Sequence, residues 1–468
     1  MSFVLVTGGA GYIGSHTVVE LIQNGHQVVI VDNLSNSSYD SISRIEYLTR
    51  SKVPFHKVDL TDYSGLDAVF DQYEFKTVLH FAGLKAVGES ARNPLKYHNN
   101  NVIGSINLLR TMQSHGCKSI IFSSSATVYG DVTRLEGQRI PIVETCPTQP
   151  TNPYGQTKLA VENTLRDVFA ADQQWRIAIL RYFNPIGAHS SGLLGENPHG
   201  VPDNLLPLIA QVASGRGKFS VFGTDYDSVD GTPIRDYVHV VDLAQGHVAA
   251  LHHLDGLKEG TGICREWNLG TGTGSTVFEV HSSFERASNR KVPYTVATRR
   301  PGDVLNLTAD VSRAATELGW RARLTVDKAC DDLWLWTERH PSSGYQNVDG
   351  RVRLSSATGA IKVQIGAQGD IESITIGTQR LQGTRIQFKN LYGPAVRRTS
   401  NGFAVEYATD TTPIVYQFEF QSESRVCFTL YEIGAESLPR FEQVFEAVSE
   451  KYACSSSTFE IVDEMVET

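Results

Sequence analysis

The amino-acid sequence predicts an α/β fold: a doubly wound parallel sheet, a smaller mixed portion after it, and an appended β-rich C-terminal domain. Three observations predict it. From the N-terminus to about residue 180, short β-rich runs alternate with helical stretches, as strands joined by crossover helices do. A glycine-rich turn joins the first run to the first helical stretch. After Trp334-Leu335-Trp336 the texture changes, and apolar and polar residues begin to alternate with a period of two.

The elements follow in order. Phe3-Val4-Leu5-Val6 reads as a strand, and Thr7-Gly8-Gly9-Ala10-Gly11-Tyr12-Ile13-Gly14 leads from it into a helix over Ser15–Asn24. Gly8, Gly11 and Gly14 fit the spacing of a nucleotide-binding βα turn: one for the bend, one for close approach of a pyrophosphate, one for helix–strand packing. The helix N-terminus then presents free N–H groups and a partial positive charge to the phosphates. A second strand, Val28–Val31, ends in Asp32. A carboxylate there accepts hydrogen bonds from a ribose diol and repels a 2′-phosphate, so NAD is expected rather than NADP. Strands at Thr77–Phe81, Ser119–Ser123 and Ile177–Arg181 complete a Rossmann-type domain over residues 1–183.

Residues 184–340 contain more loop, Gly and Pro, with helices expected at Leu205–Ser214, Val240–Leu251 and Thr276–Ser288; this suits a portion that covers a substrate. A linker is expected over 341–347, where Pro341-Ser342-Ser343-Gly344 interrupts the pattern, and a β-rich module over 348–468. Its strands are expected at Ile361–Ile365, Ile374–Ile376, Phe403–Tyr407, Ile414–Phe420 and Val426–Leu430. Phe441, Val444, Phe445, Val448 and Tyr452 share one face at helical spacing, which predicts a closing amphipathic helix.

Composition narrows the function. The chain has 468 residues, 41% hydrophobic and 20% charged, as ordinary soluble proteins do. A net charge of −9 provides no basic footprint for nucleic acid or for an anionic membrane surface. The cysteines (117, 146, 264, 330, 427, 454) show no Cys-x-x-Cys pair and no zinc-like spacing, so reduced thiols and no metal are expected. The chain opens directly on a core strand and has no apolar run near the ~20 residues of a bilayer span. A cytoplasmic location is expected.

Two segments carry chemistry. Phe122-Ser123-Ser124-Ser125-Ala126-Thr127-Val128-Tyr129-Gly130 lies at a strand end, and Pro153-Tyr154-Gly155-Gln156-Thr157-Lys158 opens a helix. Tyr154 and Lys158 are four apart and share a helical face. A free tyrosine, with a pKa near 10, is a poor base at neutral pH. A neighbouring ammonium and a positive nicotinamide ring both favour phenolate. Tyr154 is then positioned to take a hydroxyl proton as hydride leaves the same carbon, with Ser125 bonded to that oxygen.

Further runs make the likeness specific: His80-Phe81-Ala82-Gly83-Leu84-Lys85-Ala86-Val87-Gly88-Glu89-Ser90, Arg181-Tyr182-Phe183-Asn184-Pro185, Arg235-Asp236-Tyr237, and Arg299-Arg300 with Gly302-Asp303. With these, residues 1 to about 345 resemble the UDP-glucose 4-epimerases, extended members of the short-chain dehydrogenase/reductase family. The resemblance implies interconversion of UDP-galactose and UDP-glucose with tightly held NAD, through a 4-keto sugar, in galactose metabolism, and allows a homodimer. It implies catalytic Ser125, Tyr154 and Lys158. Implied NAD contacts, beside the three glycines, are Tyr12, Ile13, Asp32, Asn33, Asp59, Leu60, Phe81, Ala82, Gly83, Leu84, Lys85, Asn100, Ser123, Tyr154, Lys158 and Phe183. Implied UDP-sugar contacts are Lys85, Ser125, Asn184, Asn204, Leu205, Phe222, Arg235, Arg300, Asp303 and Leu307.

Arginine suits a diphosphate, and Asp303 suits ribose hydroxyls. Plainer roles stay open: a surface arginine, an acidic turn residue at Asp303, a turn cap at Asp59, loop-holding amides at Asn184 and Asn204. Leu307, four residues after Asp303, is expected to line the sugar pocket or to pack a core face. Some fungal-type members of the family carry a C-terminal aldose mutarotase, which works through histidines. No histidine follows His340 here and the segment is less than half such a domain's length, so no working mutarotase is expected. Two other readings are weighed: a sugar-nucleotide dehydratase or decarboxylase, and a silent UDP-sugar sensor whose C-terminal module binds a partner.

Overall fold

The computed structural model describes residues 2–134, 140–197, 202, 204–300 and 303–340, then the segments 345–348, 351–355, 361–366, 371–376, 379–382, 385–386, 392–399, 402–408, 414–422, 425–432, 441–446 and 460–461. Two compact units emerge: residues 1–37 with 54–337, and residues 38–53 with 338–468. The segment 38–53 thus groups with the C-terminal residues, although it lies within the expected first domain.

In the first unit β1 (Phe3–Thr7) passes through the glycine turn into α1 (Tyr12–Gln23) and β2 (Val28–Asp32). The chain then runs through α2 (Tyr39–Thr49), which belongs to the second unit. It continues as β3 (Phe55–Lys57), α3 (Tyr63–Phe70), β4 (Phe75–His80), α4 (Val87–Arg92), α5 (Pro94–Tyr97), α6 (Gly104–Ser114), β5 (Ser119–Ser125), α7 (Pro153–Ala171) and β6 (Arg176–Tyr182). Next come β7 (Asn184–Ile186), α8 (Leu205–Ala213), β8 (Phe219–Phe222), β9 (Ile234–His239), α9 (Val240–Asp255) and β10 (Ile263–Leu269). Last are β11 (Gly274–Thr276), α10 (Val277–Ser288), β12 (Tyr294–Ala297), β13 (Asn306–Leu307) and α11 (Val326–Arg339), of which all but Glu338 and Arg339 belong to this unit.

Seven strands form one parallel sheet in the order β10-β6-β5-β4-β1-β2-β3. Val4, Leu5 and Val6 are at most 5% exposed: helices cover both faces, so the strand is continuously apolar rather than alternating. Strand order reverses between β1 and β4. In such sheets ligands bind beyond the carboxyl ends of the strands at that reversal. Small sheets follow, β11-β9-β13 with β7 paired to β9, and β8 with β12. They bring Asn184 opposite Tyr237 and Leu307 opposite Arg235.

The second unit is β-rich. One antiparallel sheet joins β14 (Tyr345–Val348), β15 (Arg351–Ser355), β16 (Ile361–Ile365), β17 (Ile371–Ile376) and β18 (Gln379–Gln382). After β19 (Arg385–Ile386), a second joins β20 (Tyr392–Arg398), β21 (Gly402–Ala408), β22 (Ile414–Ser422), β23 (Arg425–Glu432) and β24 (Phe441–Glu446). A short β25 (Glu460–Ile461) pairs with β19. Val352, Val363, Ile374, Val405, Tyr416 and Phe428 belong to its buried core.

The expected closing helix is overturned where the structure describes it. Phe441–Glu446 is strand β24, with Phe441 opposite Leu430, Val444 opposite Cys427 and Phe445 opposite Val426. Aromatic and β-branched residues favour a pleated surface, and β23 offers an unpaired edge; strand pairing outweighs the helical spacing. Val448, Tyr452 and the linker residues Pro341–Gly344 lie outside the described residues.

Candidate active site

The glycine turn is shaped by close approaches. Gly8 has φ +72°, and a Cβ there would lie 2.6 Å from the Ala82 nitrogen. A Cβ on Gly14 would lie 2.2 Å from the Gly8 oxygen. Gly11 caps α1 with no side-chain hydrogen bond, so the helix start at Tyr12 and Ile13 keeps N–H groups for an anion. The Tyr12 hydroxyl donates to Gly187 O at 2.7 Å. After β4 the chain folds back over this turn, the nitrogens of Phe81 and Ala82 both donating to Thr7 O at 2.9 and 3.1 Å.

Asp32, 9% exposed, accepts from Ala10 N at 3.1 Å, Leu34 N at 2.8 Å and Ser37 Oγ at 2.9 Å. Burial raises its carboxyl above the usual range despite those donors. Asn33 Nδ2 donates to Asp59 Oδ2 at 2.7 Å, joining two expected cofactor contacts. Leu60 is mainly a core residue, its carbonyl bonded by Asn107. A helix start with N–H groups to offer thus lies beside a buried carboxylate, an arrangement that could hold a dinucleotide.

Ser125 ends β5 and caps a short 3-10 turn. Its Oγ accepts from Thr127 N at 3.2 Å and Thr127 Oγ1 at 2.9 Å, which leaves its own proton to donate to the Tyr154 oxygen. Tyr154 and Lys158 sit on the first two turns of α7, whose N-cap Asn152 accepts from Gly155 N. Lys158, 5% exposed, donates to Ser123 O at 2.6 Å and lies 5.9 Å from the Tyr154 ring centroid. Burial pushes the Tyr154 phenol up to about 12, against the Ser125 bond, and lowers Lys158 to about 8, against nearby Glu162. The expected phenolate rested on two cations, the lysine and the nicotinamide ring; in the chain by itself burial keeps the phenol protonated.

On the substrate side Arg235 pairs with the Asp303 carboxylate, and its Nη1 donates to Ile234 O at 2.7 Å. Arg300 lies 4.1 Å above the Phe222 ring. Lys85 and Asn204 converge on one carboxylate, Glu196, the first as an ion pair and the second at 3.1 Å. Asn184 is exposed, and Leu205 opens α8. Phe183 is buried, and half-buried Leu307 packs against its cluster with Tyr129 and Ala309.

Sequence reasoning missed four supports. Glu196 carries no pattern in its loop. Asn101 holds Leu84 by N and O at 2.8 and 2.9 Å and also donates to Thr157 at 3.1 Å; it is hidden in an Asn-Asn-Asn run beside Asn100. Glu162, one turn beyond Lys158, takes Ser124 Oγ at 2.6 Å and two bonds from Arg181 at 3.0 and 2.7 Å. Tyr182 bonds His247, whose ring lies tilted 4.7 Å from that of Phe81. Only helical spacing from Lys158 to Glu162 was a usable signal.

A family model described as GDP-mannose 4,6 dehydratase matches residues 5–333. The UDP-glucose 4-epimerase uge1 of Schizosaccharomyces pombe is 55% identical over 339 residues, 72% of this chain and 94% of that protein. The chain belongs to the UDP-glucose 4-epimerase family. A solved structure in this family, UDP-glucose 4-epimerase from Bifidobacterium longum in complex with NAD+ and UDP, is 48% identical with a TM-score of 0.68, covering 72% of this chain and 98% of the other. The bifunctional protein GAL10 of Pachysolen tannophilus is 57% identical over 410 residues, 84% of this chain but 59% of that protein. The chain thus spans little more than half the length of such bifunctional relatives. That match is longer than the stretch up to His340, so it extends into the second unit.

Proposed function

We propose that this protein is a UDP-glucose 4-epimerase, interconverting UDP-galactose and UDP-glucose with NAD retained through the cycle. The observation that carries the reading is the Ser125–Tyr154–Lys158 constellation at the carboxyl end of β5, next to the reversal of strand order. NAD, when bound, supplies a reversible hydride acceptor and a positive ring. Gly8, Gly11 and the start of α1 would take its phosphates, and Asp32 its ribose. Asn33, Asp59, Phe81 to Lys85, Asn100, Ser123 and Phe183 would line the rest.

The chain's own groups then have distinct tasks. Tyr154 takes the proton from O4 of the sugar and returns it, while Ser125 donates to the same oxygen. Lys158 anchors β5 to α7. Arg235 and Arg300 meet the diphosphate, with Asp303, Asn184, Asn204, Leu205 and Phe222 around the nucleotide and sugar. A dehydratase needs an acid beside the serine; Ala126 and Thr127 stand there, and the Thr127 hydroxyl is engaged with Ser125. A sensor has no use for a buried base. Among the described residues no helix is long and apolar enough to cross a membrane. The reading takes the enzyme as cytoplasmic and allows a homodimer, whose mass light scattering checks.

Incubation with UDP-galactose tests the activity: UDP-glucose forms with no net reduction of NAD. Tyr154→Phe lowers turnover by roughly 10²–10⁴ and leaves UDP binding nearly unchanged. An NAD-loaded protein without conversion, or a Tyr154→Phe variant at normal turnover, rejects the reading.

A further inference from the structure

The chain leaves the first unit after Ser37, runs through α2, and returns at Pro54. Within the second unit α2 packs on β20 and β21. That surface contains a buried carboxylate. Glu406 of β21 is 5% exposed, and its Oε2 accepts from the Tyr47 hydroxyl at 2.9 Å. Arg397 of β20 pairs with the same carboxylate. Gly393 admits the helix closely: a Cβ there would lie 3.6 Å from Tyr47 Cβ. Lys52 lies 5.8 Å from the Tyr392 ring, and Arg44, 3% exposed, bonds His340 at 3.2 Å. A helix that follows the second strand of the cofactor-binding sheet is therefore held by C-terminal strands.

The segment just before α2 holds Asp32. Ser37, whose Oγ donates to Asp32 Oδ1, is bonded directly to Ser38, the N-cap of α2. Leu34, at φ +58°, donates to the same oxygen, and Asn33 reaches Asp59. Five residues separate Asp32 from the helix cap, and three of them are tied by these bonds.

We propose that Glu406 is a positioning residue for the cofactor: it holds Tyr47 and so α2, and the peptide between Asp32 and Ser38 carries that restraint to the ribose-facing carboxylate. The inference rests on the NAD reading above.

The test uses the full chain stripped of NAD, with the NAD dissociation constant measured by calorimetry for Tyr47→Phe, Glu406→Ala, the double variant and Glu406→Gln. A hydrogen bond to a charged group is worth about ten- to hundredfold in an equilibrium, and the share of it that reaches the Asp32 carboxylate predicts NAD binding weakened about three- to tenfold in each single deletion. The double variant is no weaker than Glu406→Ala, because both act through one bond. Glu406→Gln, whose amide oxygen still accepts from Tyr47, stays close to the parent. Turnover at saturating NAD and UDP-galactose is unchanged in all four, and hydrogen exchange over 39–49 accelerates in the weakened ones. Unchanged NAD affinity, or losses that add in the double variant, overturn the proposal. Should Glu406→Ala not fold, Tyr47→Phe against Glu406→Gln decides alone. A parent chain that binds no NAD overturns the cofactor reading itself.

Discussion

At Leu307 the structure shows the core face: the side chain packs on the Phe183 cluster, and its strand residue pairs with Arg235. That it also lines the sugar pocket is a proposal with a kinetic consequence. An acetamido group adds several heavy atoms, and overfilling a packed site costs about 1–3 kcal/mol, roughly 5- to 150-fold in rate. The expected outcome is a kcat/KM preference of that size for UDP-galactose and UDP-glucose over their N-acetylhexosamine counterparts, shrinking in Leu307→Ser. Equal efficiencies in the parent enzyme would falsify the gate. Tyr154 and Lys158 were legible because their chemistry needs one residue type at one helical spacing. Glu196 was not, since nothing local marks a carboxylate that Lys85 and Asn204 reach only after the chain has folded.

Among elements, the β5–α7 junction shows what the proposed catalytic trio rests on. Glu162 and Arg181 are 0% and 2% exposed, and their carboxylate and guanidinium meet in two bonds while Ser124 adds a third. The pair holds the Glu162 carboxyl below the usual range, burial acting against it. Glu162→Gln leaves Arg181 charged and poorly compensated, and breaking one side of a buried pair costs about 3–5 kcal/mol. A urea midpoint measured at pH 7.5 should fall accordingly; a shift below about 1 kcal/mol would show that the neutral acceptors of Arg181, the Glu144 carbonyl and the Tyr129 hydroxyl, are enough to hold the guanidinium. The parallel strands were legible from their unbroken apolar runs, such as Val28–Val31. β24 was not: Phe-Glu-Gln-Val-Phe-Glu fits a helix face equally well, and pairing with β23 decides. Nor does any local feature of α2 show that strands 350 residues later will cover it.

Across the whole molecule, buried neutral histidines set the response to acid. His16, His80 and His247 are at most 2% exposed, and burial lowers them to about 3, about 3 and about 4. In the unfolded chain each titrates near 6.5. Between those values the unfolded state binds protons that the native state refuses, so stability is whole above about pH 6.5 and falls as pH drops. Each group contributes a slope of about 1.4 kcal/mol per pH unit, the three together up to about 4. Buried carboxyls work the other way: Asp32, Asp236 and Glu144 are raised, so the native state keeps their protons longer than the unfolded chain does. That opposing effect enters the pH dependence with the other sign, so the histidine share between pH 6.5 and 5 is read as the difference between the parent and a histidine variant. Urea midpoints across this interval should fall steeply for the parent. His80→Asn, which keeps a polar partner for Thr7 and Ser105, should lower the slope by about one proton, or 1.4 kcal/mol per pH unit. A parent whose midpoint stays flat from pH 6.5 to 5 would mean that these rings already carry their protons in the folded state, and an unaltered slope in the variant would remove His80 from the set.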